Sequence, residues 1–156
     1  MADDSDKPAP AAAGLTIQCQ CMSVSVPAPA PKPSAIYHCH CIECRRQSAS
    51  AFGTSAVFPA EPLFPLSPAL LAQLAVYDRP ANGGGNLACY FCKSCGTRLF
   101  HRATNSSGEA QPVIFVKGGA IEDMDWAGGI HIFTRSAVVP IPARAEQYEA
   151  MPPDDD

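Results

Sequence analysis

Seven of the eight cysteines in this 156-residue chain fall into three tight clusters. They are Cys19-Gln20-Cys21, Cys39-His40-Cys41-Ile42-Glu43-Cys44 and Cys92-Lys93-Ser94-Cys95-Gly96. In an extended strand residues i and i+2 point to one side, so a C-x-C pair can offer two thiolates to one tetrahedral zinc with bonds of about 2.3 Å. C-x-x-C followed by Gly96 does the same from a tight turn, where glycine accepts the positive φ that aims backbone amides at the sulfurs. One C-x-x-C is a weak signal. Three such clusters in one chain point to zinc.

A structural zinc site closes with four thiolates, and the two-ligand clusters, Cys19 with Cys21 and Cys92 with Cys95, supply them most simply. Cys39, Cys41 and Cys44 are then free to hold a second zinc with a vacant fourth position, the arrangement of catalytic rather than structural sites. The competing possibility is a fourth protein ligand, with His38, His40, His101 and Cys89 as candidates. Cys89 otherwise reads as a small buried residue. A redox dithiol is the weakest alternative, because no thioredoxin-like βαβ pattern surrounds the C-x-x-C.

Disulfides are the obvious rival use of so many cysteines. The amino terminus MADDSDKP has neither a cationic region nor an apolar stretch of signal-peptide type, so the expected setting is a reducing cytoplasm. Hydrophobic residues at 47% and charged residues at 17% exclude wholesale disorder. No uninterrupted apolar run of about 18 residues is available to span a membrane. Asp3, Asp4 and Asp6 with Lys7 contribute −2, and Asp154 to Asp156 contribute −3, to a net charge of −4, which leaves +1 on the body. Nucleic acid is therefore not an expected partner, since its binders carry a marked basic excess.

Residues 1–14 read as a disordered tail, residues 15–150 as one domain, and residues 151–156 as an acidic tail. Short segments with strand character run from Leu15 to Gln18, Val24 to Val26, Ala35 to His38, Thr54 to Phe58, Leu87 to Phe91, Arg98 to His101, Val113 to Val116 and Ile130 to Phe133. They predict a mainly β, zinc-stabilised fold. One short helix is expected at SPALLAQL, with Ser67 as cap, Pro68 in the first turn and Leu70, Leu71 and Leu74 as its apolar stripe. The alternating prolines Pro27, Pro29, Pro31 and Pro33 fit polyproline II or an edge strand. RPANGGGN, residues 79–86, reads as a flexible loop that could act as a lid.

These residues resemble the glutathione-dependent formaldehyde-activating enzyme (GFA) and centromere protein V domain family. The resemblance rests on CQC at Cys19 to Cys21, CHCIECRR at Cys39 to Arg46, FCKSCGTRLF at Phe91 to Phe100, IHIFTRS at Ile130 to Ser136, and QYEAMPPD near the end. It implies a β-rich, Mss-four-like zinc fold shared with a small Rab-associated exchange chaperone. It also implies one zinc on Cys19, Cys21, Cys92 and Cys95, a second on Cys39, Cys41 and Cys44, and carbon–sulfur lyase activity on glutathione–formaldehyde adducts. Two features depart from the family pattern. Met22 replaces the usual small residue after the first C-x-C, and Val138 and Val139 lie where a Trp is often found; both changes are expected at the pocket wall.

Zinc with four thiolates carries −2 and with three carries −1, so nearby Arg45, Arg46, Lys93, Arg98 and Arg102 can serve as counter-charges. Alternatively Arg45 or Arg46 holds a substrate carboxylate, which a planar guanidinium can grip with two hydrogen bonds. Three anionic ligands weaken the Lewis acidity of zinc, so an open site favours exchanging a substrate thiolate, and hence making or breaking a C–S bond, over generating hydroxide. His40, Glu43 and His101 are the candidate proton carriers. His131, on an apolar segment, reads as a hydrogen-bonded wall residue. The expected function is a zinc-dependent, lyase-like enzyme whose small substrate is an anionic, glutathione-type thiol adduct. The rivals are a lyase, isomerase or hydrolase of a specialised metabolite, and a zinc scaffold without chemistry.

Overall fold

The computed structural model of the protein describes residues 14–153. Almost all of the expected amino-terminal tail and Asp154 to Asp156 lie outside the described residues. The chain runs β1 (Thr16–Gln18), β2 (Ser25–Pro27), β3 (Ala35–Cys39), α1 (Ile42–Ser48), β4 (Gly53–Pro59), α2 (Pro68–Gln73), β5 (Leu74–Pro80), β6 (Asn86–Cys92), β7 (Arg98–Ala103), β8 (Val113–Lys117), β9 (Ile121–Glu122) and β10 (Ile130–Ile132). Strands β2-β1-β9 form a small sheet, and β10-β3-β4-β8-β7-β6-β5 form a large one. The architecture is mainly β, as expected.

Register explains how one large sheet serves two purposes. Ile36, Ala56, Val116, Phe100 and Tyr90 pair in a continuous row across β3, β4, β8, β7 and β6, so their side chains share a face. Ile36, Ala56, Val116 and Phe100 in that row are buried, and they join Phe58, Ile114, Ile17, Val24 and Ile121 in one core that packs the small sheet against the large. The neighbouring registers, Cys39 opposite Gly53, Ser55 opposite Lys117, and Phe115–His101–Cys89–Tyr77, put a polar set on the other face. One face makes the core. The other carries reactive side chains.

The helix at Pro68–Gln73 starts as its sequence predicts, with the Ser67 hydroxyl accepting from the Leu70 amide at 3.2 Å. Its expected stripe is only partly apolar in use, because Leu70 and Leu74 are buried whereas Leu71 is 49% exposed and Leu74 already begins β5. A second helix, α1, lies where only a metal motif was evident. Cys41 caps it through its sulfur, which accepts from the Cys44 amide at 3.4 Å. It can approach the sheet because Gly53 lacks a side chain: a Cβ there would stand 3.1 Å from both Cys44 Cβ and Gln47 Nε2.

The glycine-rich segment is a hairpin turn rather than a lid, since Arg79 and Pro80 end β5 and Asn86 begins β6. The Ala81 amide bonds the Gly85 carbonyl at 3.2 Å, closing that turn. Of the alternating prolines, only Pro27 belongs to a strand, at the end of edge strand β2. On the far side of the large sheet, β10 pairs in parallel with β3 and is flanked by the segment around residues 146–150, through His131 N–H to Glu146 O and Tyr148 N–H to His131 O, both 2.9 Å.

Helix α1 ends at Ala49, whose φ of 49° is left-handed and whose amide bonds the carbonyls of Arg45 and Arg46. An L-residue there carries a steric cost that glycine lacks. Ala49→Gly is expected to stabilise the protein by up to about 1 kcal/mol, raising the melting temperature by about 3 °C in calorimetry. A lower melting temperature would show that the cap is not strained.

Candidate metal centres and adjoining cavity

The first group joins the two sheets. Cys19 and Cys21 follow β1, while Cys92 ends β6 and Cys95 lies in the turn before β7; their sulfurs all lie within 4.8 Å of one another. Cys19 and Cys21 occupy a turn rather than alternate positions of a strand, so chain reversal instead of pleating brings their sulfurs together. Cys19 Sγ to Cys21 Sγ is 3.6 Å and Cys21 Sγ to Cys92 Sγ is 3.8 Å. A tetrahedron with zinc–sulfur bonds of about 2.3 Å has edges of about 3.8 Å, so this donor set fits zinc.

Neighbouring groups are arranged to favour thiolates. Ser23 Oγ lies 3.1 Å from Cys21 Sγ and 3.4 Å from Cys92 Sγ, and the Val24 amide donates to Cys19 Sγ at 3.3 Å. Thr97 Oγ1, 3.1 Å from Cys95 Sγ, is the main influence that lowers the Cys95 thiol to about 5. Gly96, at φ 76°, supplies the left-handed turn that its sequence position predicts. Met22 also has a positive φ, 63°, and is 66% exposed. Its departure from the family pattern therefore falls in the turn beside these sulfurs, outside the cavities described below.

The second group comprises Cys39 at the end of β3, Cys41 as the cap of α1 and Cys44 in its first turn, again with sulfurs within 4.8 Å. Hydrogen bonds among the sulfurs split them, raising the Cys39 thiol and lowering Cys41. Among the described residues no His, Cys, Asp or Glu atom joins all three at that distance. The four candidate fourth ligands are placed elsewhere. His38 Nδ1 pairs with Thr54 Oγ1 and His40 Nε2 with His131 Nδ1, both at 2.9 Å; His101 Nε2 accepts from Arg98 Nη1 at 3.2 Å. Cys89 is fully buried with its thiol toward Leu87 O at 3.6 Å. His131 is a buried, hydrogen-bonded wall residue.

Beside Cys44 lies a cavity of about 200 Å³ lined by Glu43, Arg46, Gln47, Tyr77, Arg79, Arg98 and His101. Helical spacing sends Glu43, Arg46 and Gln47 toward this cavity, while Ile42, Arg45, Ala49 and Val138, with Arg46 again at the edge, line an open depression on another side of α1. Of the two adjacent arginines, Arg46 faces the cavity, where it pairs with Glu43 at 3.5 Å, and Arg45 does not. Arg102 is directed away, over the Phe64 ring at 4.3 Å. His40 is fully buried behind the group.

Three residues with no local motif complete the site. Tyr77 and Arg79 come from β5, a segment for which the sequence carries no strand expectation. Lys117 ends β8, is 8% exposed, and donates from Nζ to Ser55 Oγ at 2.7 Å. Burial pushes its amine down, and Cys44 and Cys39 oppose that shift. Its only advance sign was a lysine ending an otherwise apolar strand.

A family profile described as glutathione-dependent formaldehyde-activating enzyme matches residues 14–136, most of the chain and including all seven clustered cysteines. The chain belongs to this family. No curated protein matches it. In this GFA-family protein the cysteine groups could hold zinc, and no helix of the described residues is long and apolar enough to cross a membrane.

Burial, then Lys117, Arg98 and Arg79, lower His101 from 6.5 to about 2. The unfolded chain therefore binds a proton that the folded chain refuses between these values, so stability falls as pH drops below about 6.5, by up to about 1.4 kcal/mol per pH unit. His101→Gln, which retains an acceptor for Arg98, is expected to flatten urea-unfolding stability between pH 7 and 5 by close to one proton. Equal pH slopes for the two proteins would refute a buried neutral His101.

Proposed function

We propose that this protein is a zinc-dependent, lyase-like enzyme that makes or breaks a carbon–sulfur bond in a glutathione-type thiol adduct. The observation that carries this reading is the three-sulfur group of Cys39, Cys41 and Cys44, which no fourth His, Cys, Asp or Glu atom of the described residues joins and which adjoins a cavity faced by Arg46, Arg79 and Arg98. In this reading Cys19, Cys21, Cys92 and Cys95 hold a structural zinc and the three-cysteine group a second one. Zinc bound there supplies a centre that keeps a substrate sulfur as thiolate or polarises a carbonyl oxygen.

The chain's own residues supply the remainder. The three guanidiniums attract and orient an anionic substrate, and α1 with the polar sheet face limits access of water. In the bond-forming direction the thiol sulfur attacks a carbonyl carbon, the carbonyl π pair moves to oxygen, and the thiol proton is transferred to that oxygen; cleavage is the reverse. Glu43, which lines the cavity beside Cys44, carries that proton. His101, held neutral with Nε2 accepting from Arg98, orients that arginine instead. His40 supports the wall through His131. The family's name, glutathione-dependent formaldehyde-activating enzyme, supports the thiol and carbonyl classes. The gathering of seven cysteines into two groups of metal-ligand type supports a reducing, cytoplasmic setting.

The two groups should respond differently to loss of one ligand. Cys92→Ser removes a fully buried sulfur that joins the sheets, and structural zinc can supply on the order of 10 kcal/mol in small domains. That variant is expected to be insoluble or unfolded. Cys41→Ser should remain folded and lose about one of two zinc ions by metal analysis. A soluble Cys92→Ser with unchanged melting temperature would refute the structural assignment.

In cobalt-substituted protein, added glutathione should strengthen the sulfur-to-metal charge-transfer absorption, and Glu43→Gln should lower turnover by about a hundredfold or more without altering that band. A spectrum indifferent to every added thiol would instead indicate a closed scaffold.

A further inference from the structure

A larger cavity, about 370 Å³, lies between the two cysteine groups, with Cys95 and Thr97 on its lining. It shares Gln47 and Arg98 with the smaller cavity beside Cys44. The two therefore adjoin, and together they exceed what a bare sulfur and one carbonyl carbon require. Lys117 also lines the larger space.

Apart from the Cys39 and Cys44 sulfurs that act on Lys117, the polar groups lining this space have no carboxylate partner among the described residues. Lys117 is buried and bonds Ser55, a neutral hydroxyl, and no carboxylate lies within ion-pair distance of it among the described residues. Gln47 has both Nε2 and Oε1 buried without a hydrogen-bond partner, a rare condition for an amide. Arg98 engages His101 through Nη1 alone, which leaves further guanidinium donors. A buried amine, a guanidinium and an unsatisfied amide thus line one space, supplied by β8, β7 and α1.

We propose that Lys117, Arg98 and Gln47 are specificity-determining residues that bind a substrate carboxylate, so that the substrate extends from Cys44 toward the space between the two cysteine groups. The inference rests on the thiol-adduct reading above and assigns one carboxylate of that substrate to the larger cavity, beyond the Arg46 and Arg79 guanidiniums of the smaller one. Charge favours a carboxylate over a phosphate. With Lys117 and Arg98 both charged, zinc on three thiolates would offset one of them, leaving about one positive charge to be matched. The Gln47 amide can donate to a carboxylate oxygen while accepting from an adjacent peptide N–H.

The test is calorimetric titration of zinc-loaded protein with glutathione, glutathione diethyl ester and S-methylglutathione. Wild-type protein is expected to bind glutathione about tenfold or more tightly than the diester, as charge-assisted hydrogen bonds require. Lys117→Met and Arg98→Gln should each bring that ratio close to one, chiefly by weakening glutathione. An unchanged ratio in both variants overturns the assignment. If Lys117→Met does not fold, the half-buried Arg98→Gln decides alone. S-methylglutathione separates the two readings: binding equal to that of glutathione overturns the thiol reading while a persisting preference over the diester supports the carboxylate site. Failure of all three probes to bind overturns both.

Discussion

The meeting of Cys19 and Cys21 with Cys92 and Cys95 is the constraint on which the rest of the architecture depends. The small sheet contains strands of only three, three and two residues, too little to persist by hydrogen bonding alone. It is held by Ile17, Val24 and Ile121 packing into the large sheet's core and by sulfurs that approach from both sheets. Four thiolates within 4.8 Å would repel one another strongly without a cation between them. The same closeness that makes the junction unfavourable empty makes it a strong clamp when filled.

With that junction in place, the large sheet can divide its faces. Its apolar face receives the small sheet, and its polar face receives α1, brought close by Gly53. The polar face gathers Lys117, Arg98, Arg79 and a neutral His101 near three cysteines that would otherwise concentrate negative charge. Burial and charge act together on His101 and Lys117. His101 loses its proton because the surroundings are dry and cationic, whereas Lys117 feels the opposing pull of Cys44 and Cys39. The electrostatics of the cavity thus arise from four strands and one helix, and no single segment encodes them.

The two cysteine groups differ in their setting more than in their chemistry. The first is braced by Ser23, Thr97 and backbone amides and is continuous with the core, since Cys19 and Cys92 pack within it. The second sits at a strand-to-helix transition and adjoins a cavity. That contrast supports different duties for them, one in joining sheets and one in meeting a substrate.

Much of this was legible in the sequence, for identifiable reasons. Cysteine spacing is a local property, so the clusters, the Gly96 turn and most strands could be read directly from neighbouring residues. The Ser67–Pro68 helix start is equally local. Helix α1 was hidden because Cys41 serves both as cap and as a member of the metal motif, and β5 because it follows directly on the SPALLAQL helix and lies, mostly exposed, at the sheet edge. Arg79, Lys117 and Gln47 could not be found at all, since their common destination depends on register across β5, β6, β7, β8 and β4 and on how α1 is seated over Gly53. Likewise, which of Arg45 and Arg46 faces the cavity is set by the rotation of one helical turn against the sheet. The sequence by itself determined which atoms could hold a metal, because ligand chemistry and short spacing are properties of the chain. Only the tertiary structure decided what surrounds those atoms, because burial and charge at a point are sums over residues distant in sequence.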